Sequence, residues 1–354
     1  MKAVYINSVC SISSQKTFDN SAFLDEIISY EDNIIPVVNP NYKDYILPAD
    51  SRRMAKGIKM GIVASKIALI DANLDSVDAI ITGTGMGCLK DSEKFLRAII
   101  DNDEQFLTPT SFIQSTHNTV GGQIALALQC KGYNFTYVHA SISFESAVLD
   151  AKLMLENNEA NTILVGGVDE VGDYTASLHK LINHIKQEKI RSTELLQSKT
   201  EGAMYGEGAN FFVLSNKKQA SSYAQILAIQ TYNTLANTKI ETTVSTFLKE
   251  NNSTIDSLDA VVLGNNGDVA HDYFYNELSS GILHKTQQVY YKHLCGEFNT
   301  ASSFGVWLAS KILKTQKLPE AVKLNNVNVS NFKTILLYNQ YRGENHSLTL
   351  IRRC

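Results

Sequence analysis

Short runs of β-branched or apolar residues, each followed by a longer segment with helical periodicity, recur along the whole chain. This alternation limits the fold to α/β architectures in which sheets are covered by helices. Ala3 to Ile6 reads as a first strand, Arg52 to Asp71 as a helix, and Ala79 to Thr82 as a buried strand running into GTGMG at Gly83 to Gly87. Thr119 to Gln129 is a helix rich in Gly and Ala, Phe135 to Ala140 a strand, Ser141 to Glu156 a helix, and Thr162 to Val165 a strand closed by Gly166 and Gly167. A second series opens at Phe211 to Leu214 and Ala224 to Gln230, followed by a helix from Ile240 to Glu250 that NNST at Asn251 to Thr254 breaks. Ala260 to Leu263 is its next buried strand and Ala301 to Leu313 a long helix. Thr334 to Tyr338 and Ser347 to Ile351 close the chain as a hairpin. Two similar α/β halves are expected, 1–200 and 201–354, with the polar stretch near 175–200 an excursion that contacts a partner rather than a core element.

Composition narrows the function classes. The chain has 354 residues, 44% hydrophobic and 19% charged, so it can bury a large core and does not have the composition of a disordered chain. Lys plus Arg number 32 against 36 Asp plus Glu, a net charge of −4 that gives no global electrostatic case for nucleic acid. No apolar run approaches the ~18 residues of a membrane span, and the first residues do not form a signal peptide, so a cytoplasmic protein without a membrane partner is expected. Cys10, Cys88, Cys130, Cys295 and Cys354 are widely spaced with no CxxC pair, and the eight His show no HxH or HxxxH spacing. Neither a disulfide framework nor a metal site is expected, and no cofactor.

One segment carries chemical meaning: KGYNFTYVHASISFESAVLDAKLML, Lys131 to Leu155. A strand runs into a sharp turn at His139-Ala140-Ser141, and an amphipathic helix follows directly. Ser141 then stands at a helix N-terminus, where N–H groups and the macrodipole stabilise an anion. The plainer reading of the same residue is an N-cap serine, worth about 1 kcal/mol.

The ordered set of RRM at Arg52 to Met54, GTGMG at Gly83 to Gly87, FIQSTHNTVGGQIALAL at Phe112 to Leu128, KGYNF at Lys131 to Phe135, ILVGGVDE at Ile163 to Glu170, GEGA at Gly206 to Ala209 and the Lys292 to Gly296 loop resembles the β-ketoacyl synthases of the thiolase-like superfamily. The resemblance implies a five-layered αβαβα fold of two similar βαβαβ halves, an obligate dimer and carrier-protein thioesters as ligands. GTGMG is then a packing element, since its glycine spacing is not that of a dinucleotide fingerprint.

The resemblance also says where catalytic residues belong, and this chain departs from it at each place. The family's Cys nucleophile falls on Ser141, a hydroxyl that needs an adjacent base to attack a thioester. The first family His falls on Gly264, Asn265 or Asn266 within VVLGNNGDVAHD, and Asn266 can donate a hydrogen bond but not transfer a proton. The second falls on Glu297 in KHLCGEF, where Lys292 and Gly296 match the family and Lys292 favours the ionised carboxylate. His271 reads as a surface or capping residue, and His293 and Cys295 flank the site in sequence. In QYRGEN, Gln340 to Asn345, Tyr341 takes the place of a gating aromatic, and Arg342 replaces a glycine whose backbone geometry a side chain opposes.

The combined departures point to a non-catalytic ketosynthase-like subunit of the chain-length-factor type. It is expected to pair with an active β-ketoacyl synthase and to shape an acyl tunnel for substrates on an acyl carrier protein, in a fatty-acid or polyketide system such as aryl-polyene or flexirubin-type pigment synthesis. One alternative is a Ser141-dependent acyltransferase or thioesterase with His139 or Glu297 as base, since His139 and Ser141 emerge on one face of an extended turn. Another is a structural homodimer without catalysis.

Overall fold

The computed structural model describes residues 2–354. The first part of the chain forms β1 (Val4–Ile12), α1 (Pro48–Ser51), α2 (Lys56–Ala72), β2 (Ala79–Gly83), α3 (Leu89–Asp101), α4 (Pro109–Ser115), α5 (Thr119–Leu128), β3 (Tyr133–Tyr137), α6 (Ser143–Glu156), β4 (Thr162–Asp169), α7 (Asp173–Leu181) and β5 (Gly208–Ser215). The second forms β6 (Ala224–Thr234), α8 (Ile240–Glu250), β7 (Ala260–Leu263), α9 (Tyr273–Ser280), β8 (Gln287–Tyr290), α10 (Lys292–Cys295), α11 (Ser302–Thr315), β9 (Thr334–Tyr341) and β10 (Glu344–Arg352).

The strand order is β3-β2-β4-β5-β1-β6-β10-β9-β7-β8. β3, β2 and β4 are parallel, β5 is antiparallel to β4, and β1 is antiparallel to β5. The other side repeats the pattern, with β8, β7 and β9 parallel, β10 antiparallel to β9, and β6 antiparallel to β10. The two five-stranded units fuse into one ten-stranded sheet where Val4–Ile6 of β1 pairs with Ala224–Ile226 of β6. The expected internal repeat is therefore present in the topology. A division at 200 would put β5 with the second unit, whereas its hydrogen bonds hold it between β4 and β1 of the first. A buried apolar strand carries no mark of which sheet it joins; its pairing partners lie far away in the chain.

Alternate residues of each strand feed different cores, which is why the strands read as continuous apolar runs. Ile81, Val165, Phe212 and Leu214 from the first unit meet Val262, Val289, Ile335 and Leu337 from the second around α6 and α11, in a core that both share. Ile80, Leu164, Phe211 and Val213 face α2 and α5 instead. Val261, Leu263, Leu336 and Leu350 face α8 and α9. The resulting layers are helix, sheet, helix pair, sheet, helix, the five-layered thiolase-like arrangement. Trp307 of α11 is fully buried in the central layer, 5.0 Å between ring centroids from Phe304 and 5.9 Å from Phe23.

The segment after α7 does not project away from the body. Ile185, Lys186, Ser192 and Leu195 are buried. Lys186 Nζ donates to Ser198 Oγ at 2.6 Å, to the Thr200 carbonyl at 3.0 Å and to the Gly267 carbonyl at 2.8 Å, which ties the excursion to the loop after β7. The polar composition reflects a lysine satisfied by internal acceptors as well as a solvated surface.

Because the two units share the central core, the chain is expected to unfold in a single transition. Trp307→Ala should cost about 3–5 kcal/mol. Urea unfolding followed by circular dichroism and by amide protection in each unit would check both; two separated transitions would mean that the units fold independently.

Candidate functional site

Acidic side chains within the glycine-containing motifs hold the site's framework. Asp169, at the end of β4, accepts hydrogen bonds through Oδ1 from Thr84 Oγ1 at 2.9 Å and Gly85 N–H at 2.8 Å, and through Oδ2 from Thr300 N–H at 2.9 Å and Thr300 Oγ1 at 2.8 Å. It thereby joins the GTGMG loop to the loop that leads into α11. Glu170 accepts from the N–H groups of Gly57 and Lys90, and Glu207 of GEGA is ion-paired with Lys56. These carboxylates satisfy buried backbone donors, which explains the motifs without any ligand.

The turn between β3 and α6 is held by Ser143, whose Oγ accepts from His139 N–H at 2.7 Å and donates to the Ala140 carbonyl at 2.6 Å. Ala140 has φ +47°, a left-handed conformation that costs energy for any residue with a Cβ. A Cβ on Gly83 would lie 2.6 Å from the Ser143 carbonyl, so glycine is what lets β2 end directly against the start of α6. Ser141 lies in the 3₁₀ turn Ala140–Ile142 ahead of α6 and is 2% exposed; its Oγ has no hydrogen-bond partner. It is not the N-cap of α6: that position is Ile142, with no side-chain cap. The capping role expected for a serine at a helix start is thus absent. His139 is exposed while Ser141 is buried, and no hydrogen bond joins them. The expected emergence of both side chains on one face is not realised, because the turn closes into a 3₁₀ helix rather than staying extended.

The loop after β7 is pinned by Asp272, which accepts from Asn266 N–H at 3.2 Å and Gly267 N–H at 2.9 Å. Asn266 in turn donates from Nδ2 to Glu297 Oε2 at 2.7 Å, and Lys292 Nζ donates to the same oxygen at 2.6 Å. Of the three candidates for the first family His, Asn266 is the one that reaches Glu297. A Cβ on Gly264 would collide with Asn339 Oδ1 and Tyr275 Oη, so that space is already filled. The Lys292 and Glu297 side chains are only 1% and 3% exposed. The Glu297 loop is fixed by its own backbone, with its N–H donating to the Met204 carbonyl and its carbonyl accepting from Gly206 N–H. Gly296, at φ +74°, packs against Gly206 where a Cβ would meet backbone at 2.5 Å.

Tyr341 ends β9 and places its Oη 3.1 Å from Tyr205 Oη. Arg342 and Gly343 have φ +51° and +80° and form the two-residue turn to β10. The expected conflict between a side chain at 342 and a glycine-like backbone does not prevent the turn: Arg342 adopts the left-handed conformation, and its Nη1 donates to Asp268 Oδ2 at 3.2 Å. His271 Nδ1 lies 3.0 Å from the same Asp268 oxygen, consistent with the local role expected of it. His293 is fully buried against Tyr290, with ring centroids 3.9 Å apart, and burial pushes its pKa down to about 3. The Cys295 thiol is pushed well above its ordinary range by burial. Neither behaves as a group poised to react.

Sequence position thus brings Asn266, Glu297 and Lys292 together, while Ser141 and Tyr341 bond to none of them. A cavity of about 60 Å³ is lined by Glu297, Tyr205, His179, Met86, Ala176 and Asn299; Ser141 does not line it. Tyr205, His179, Asp268 and Tyr275 were not expected at the site. They arrive from α7, α9 and the loops before β5 and after β7, and only the acid Asp272 ahead of an apolar helix carried a local signal.

A family model described as "Beta-ketoacyl synthase, N-terminal domain" matches residues 40–220. Among curated proteins, the chain is 24% identical over 210 residues to 3-oxoacyl-[acyl-carrier-protein] synthase 2 of Staphylococcus aureus strain N315, covering 54% of this chain and 50% of that protein. The chain spans about half the length of the curated relatives it matches. Among solved structures, the ishigamide ketosynthase/chain length factor superposes with a TM-score of 0.81 at 16% identity, covering 100% of this chain and 99% of that one. The ketosynthase ApeO in complex with its chain length factor ApeC from Xenorhabdus doucetiae gives 0.80 at 13% identity, covering 100% and 98%. These superpositions establish the thiolase-like ketosynthase fold. Among the described residues, no helix is long and apolar enough to cross a membrane.

Removing one member of the buried Lys292–Glu297 pair leaves an uncompensated charge, so Lys292→Met and Glu297→Leu should each cost about 3–5 kcal/mol, and the double variant less than their sum. Additive costs in chemical denaturation would mean that the pair is uncoupled. Burial pushes the Asp272 carboxyl from 3.8 up to about 7 against the two N–H groups that favour its anion. The native state therefore holds this proton more tightly than the unfolded chain. Its stabilisation is full below about pH 4 and lost as pH rises through about 7, a difference of roughly 4 kcal/mol. Asp272→Asn should remove that slope: denaturation at a series of pH values should show wild type losing stability relative to the variant on going from acid to neutral, and parallel curves would contradict the assignment.

Proposed function

The chain belongs to the β-ketoacyl synthase family, and from that membership we propose that it is a non-catalytic ketosynthase-like subunit of the chain-length-factor type. In this reading it pairs with an active β-ketoacyl synthase and shapes the tunnel for acyl chains delivered on an acyl carrier protein. The observation that carries the proposal is the state of Glu297. Malonyl decarboxylation develops negative charge on an enolate oxygen, which catalysis must meet with a positioned donor. At the family's second His position this chain has a buried carboxylate, and it engages both the Lys292 ammonium and the Asn266 amide on one oxygen. Both groups are turned toward Glu297, and its own charge opposes an incoming anion.

Ser141 supports the same conclusion. A hydroxyl becomes an effective nucleophile through an adjacent base, and Ser141 Oγ has no partner. The acyltransferase alternative relies on His139 or Glu297 as base; the first is exposed and unbonded to Ser141, and the second is committed to Lys292 and Asn266.

Pairing with another subunit is supported by the edge of the sheet. β3 is an edge strand with Tyr133, Phe135 and the following Val138 exposed, and exposed Phe112, Ile113 and Leu126 lie on the neighbouring α4 and α5. An unpaired strand edge with a contiguous apolar surround invites a partner. Carrier-protein docking is supported by a groove of about 1090 Å³ whose wall includes Arg52, Arg53 and Lys66 beside Leu47 and Leu126, a combination suited to an acidic carrier bearing an apolar cargo. The solved relatives include a ketosynthase with its chain length factor and a type II polyketide ketosynthase with its acyl-carrier protein. A cytoplasmic type II fatty-acid or polyketide system is the proposed setting, with aryl-polyene or flexirubin-type pigment synthesis the specific case.

Incubation with acyl- and malonyl-carrier thioesters should give neither a condensed product nor a mass increase by intact-mass spectrometry; an acyl group on Ser141 would favour the acyltransferase. Co-expression with a ketosynthase encoded beside it should give a 1:1 complex that Phe135→Arg disrupts. A stable homodimer indifferent to that partner would instead support the structural-homodimer reading.

A further inference from the structure

Outside the Glu297 network, two histidines face each other across one hydrogen bond. His179 lies in the last turn of α7 and His184 just beyond it, with their Nδ1 atoms 3.1 Å apart and ring centroids 5.2 Å apart. The backbone sets this approach: the N–H groups of His184 and Ile185 both donate to the His179 carbonyl, at 2.9 Å and 3.2 Å. Ala203 N–H donates to the His184 carbonyl at 3.0 Å and closes the far side of the excursion. The His179 ring packs on Tyr205 at 5.2 Å, and Tyr205 Oη meets Tyr341 Oη at 3.1 Å. One chain of contacts therefore runs from the excursion through Tyr205 to the turn between β9 and β10, and His179 and Tyr205 both line the cavity that holds Glu297.

Two facing Nδ1 atoms can share only one proton. The neutral pair satisfies this with one Nδ1–H donating to the other ring, and a pair carrying one positive charge keeps the same bond in charge-assisted form. A second charge places a proton on both facing atoms, so that donor meets donor and like charges repel. The surroundings oppose that state. The charge of Arg342 in the β9–β10 turn acts against protons on both rings and that of His271 against one on His184, while Asp268 pulls His184 the other way. Tyr205 and Tyr341 contribute neutral hydroxyls, and the acids Glu297, Asp169 and Glu170 line the cavity beside His179. Burial, with Arg342, holds both imidazoles below their ordinary value of 6.5.

We propose that the His179–His184 pair is a proton-operated latch, which holds the excursion against the end of α7 and Tyr205 in the cavity wall while it carries no more than one positive charge and releases them when both rings are charged. The sign follows from the lowered affinity for protons: the closed form persists through the ordinary histidine range and gives way only when pH falls far enough below it to charge the second ring. The latch regulates access to the same cavity but does not depend on the chain being catalytically silent or paired, and its test needs neither substrate nor partner.

Amide hydrogen exchange of the full chain, corrected for intrinsic rates, reads the latch at His184, Ile185 and Ala203. Protection there should drop by about tenfold or more as pH falls from about 7.5 through the second of the pair's two titration steps, and should hold through the first. In His184→Gln, which cannot carry the second charge, the same amides should show no such pH-dependent loss. Histidine ¹⁵N spectra of the unaltered chain give a measurement free of any folding defect: His179 and His184 should titrate in two coupled steps below the ordinary range. Independent titration of the two rings, protection unchanged with pH, or the same loss in His184→Gln would each overturn the proposal.

Discussion

Two sheets enclose a single pair of helices, and this shared central layer is the constraint on which the molecule depends. α6 and α11 have apolar sheet on either side of them, so residues from both halves of the chain contribute to one core. Burial of that area stabilises both halves at once, and neither has an inner sheet face that water can cover without loss. The β1–β6 pairing adds a covalently distant seam, and Asp169 adds another by fastening the GTGMG loop to Thr300 at the head of α11. Ser141 is on the buried side of the turn before α6 and is almost inaccessible, whereas Val138, His139 and Ala140 just ahead of it are exposed.

The same burial governs the charges near Glu297. A lysine with almost no exposure must have an anion or several acceptors beside it. Lys292 finds that anion in Glu297, and Asn266 completes the carboxylate's hydrogen bonding. Both donors converge on one oxygen of Glu297, so the pair's opposite charges are matched within the protein. That condition suits a structural element and works against a site that has to stabilise transient negative charge. A second buried lysine, Lys186, has neutral oxygens of Ser198, Thr200 and Gly267 as direct acceptors, with the Glu188 carboxylate 3.9 Å away and bonded to the Ser198 and Thr200 hydroxyls.

Much of the fold was legible in the order of apolar runs, because a strand buried on both faces and a helix with one apolar stripe leave different periodicities. The hairpin of β9 and β10, the helix Ile240–Glu250 and the strand Ala260–Leu263 are found where periodicity places them. The short helices α1 and α10 and the four-residue strand β8 were not legible, since so few residues carry no period. The glycine and acidic motifs fall in loops that the carboxylates of Asp169, Glu170 and Glu207 fasten together. The serine at the helix start suggested a cap that the 3₁₀ turn does not use, and Arg342 suggested a conflict that its left-handed backbone absorbs.

The residue types are decided by the sequence alone: a hydroxyl at 141, glycine or an amide over 264–266 and a carboxylate at 297, none of them a thiol or an imidazole. The alternating strand and helix signals likewise determine an α/β chain built of two similar units. Only the tertiary structure decides that β5 completes the first unit, that Asn266 rather than Gly264 reaches Glu297, and that His179 and His184 share a proton beneath Tyr205. Each of these depends on contacts between segments or on a particular backbone turn. Periodicity is a property of neighbours along the chain, whereas side-chain meetings are set by how whole layers pack.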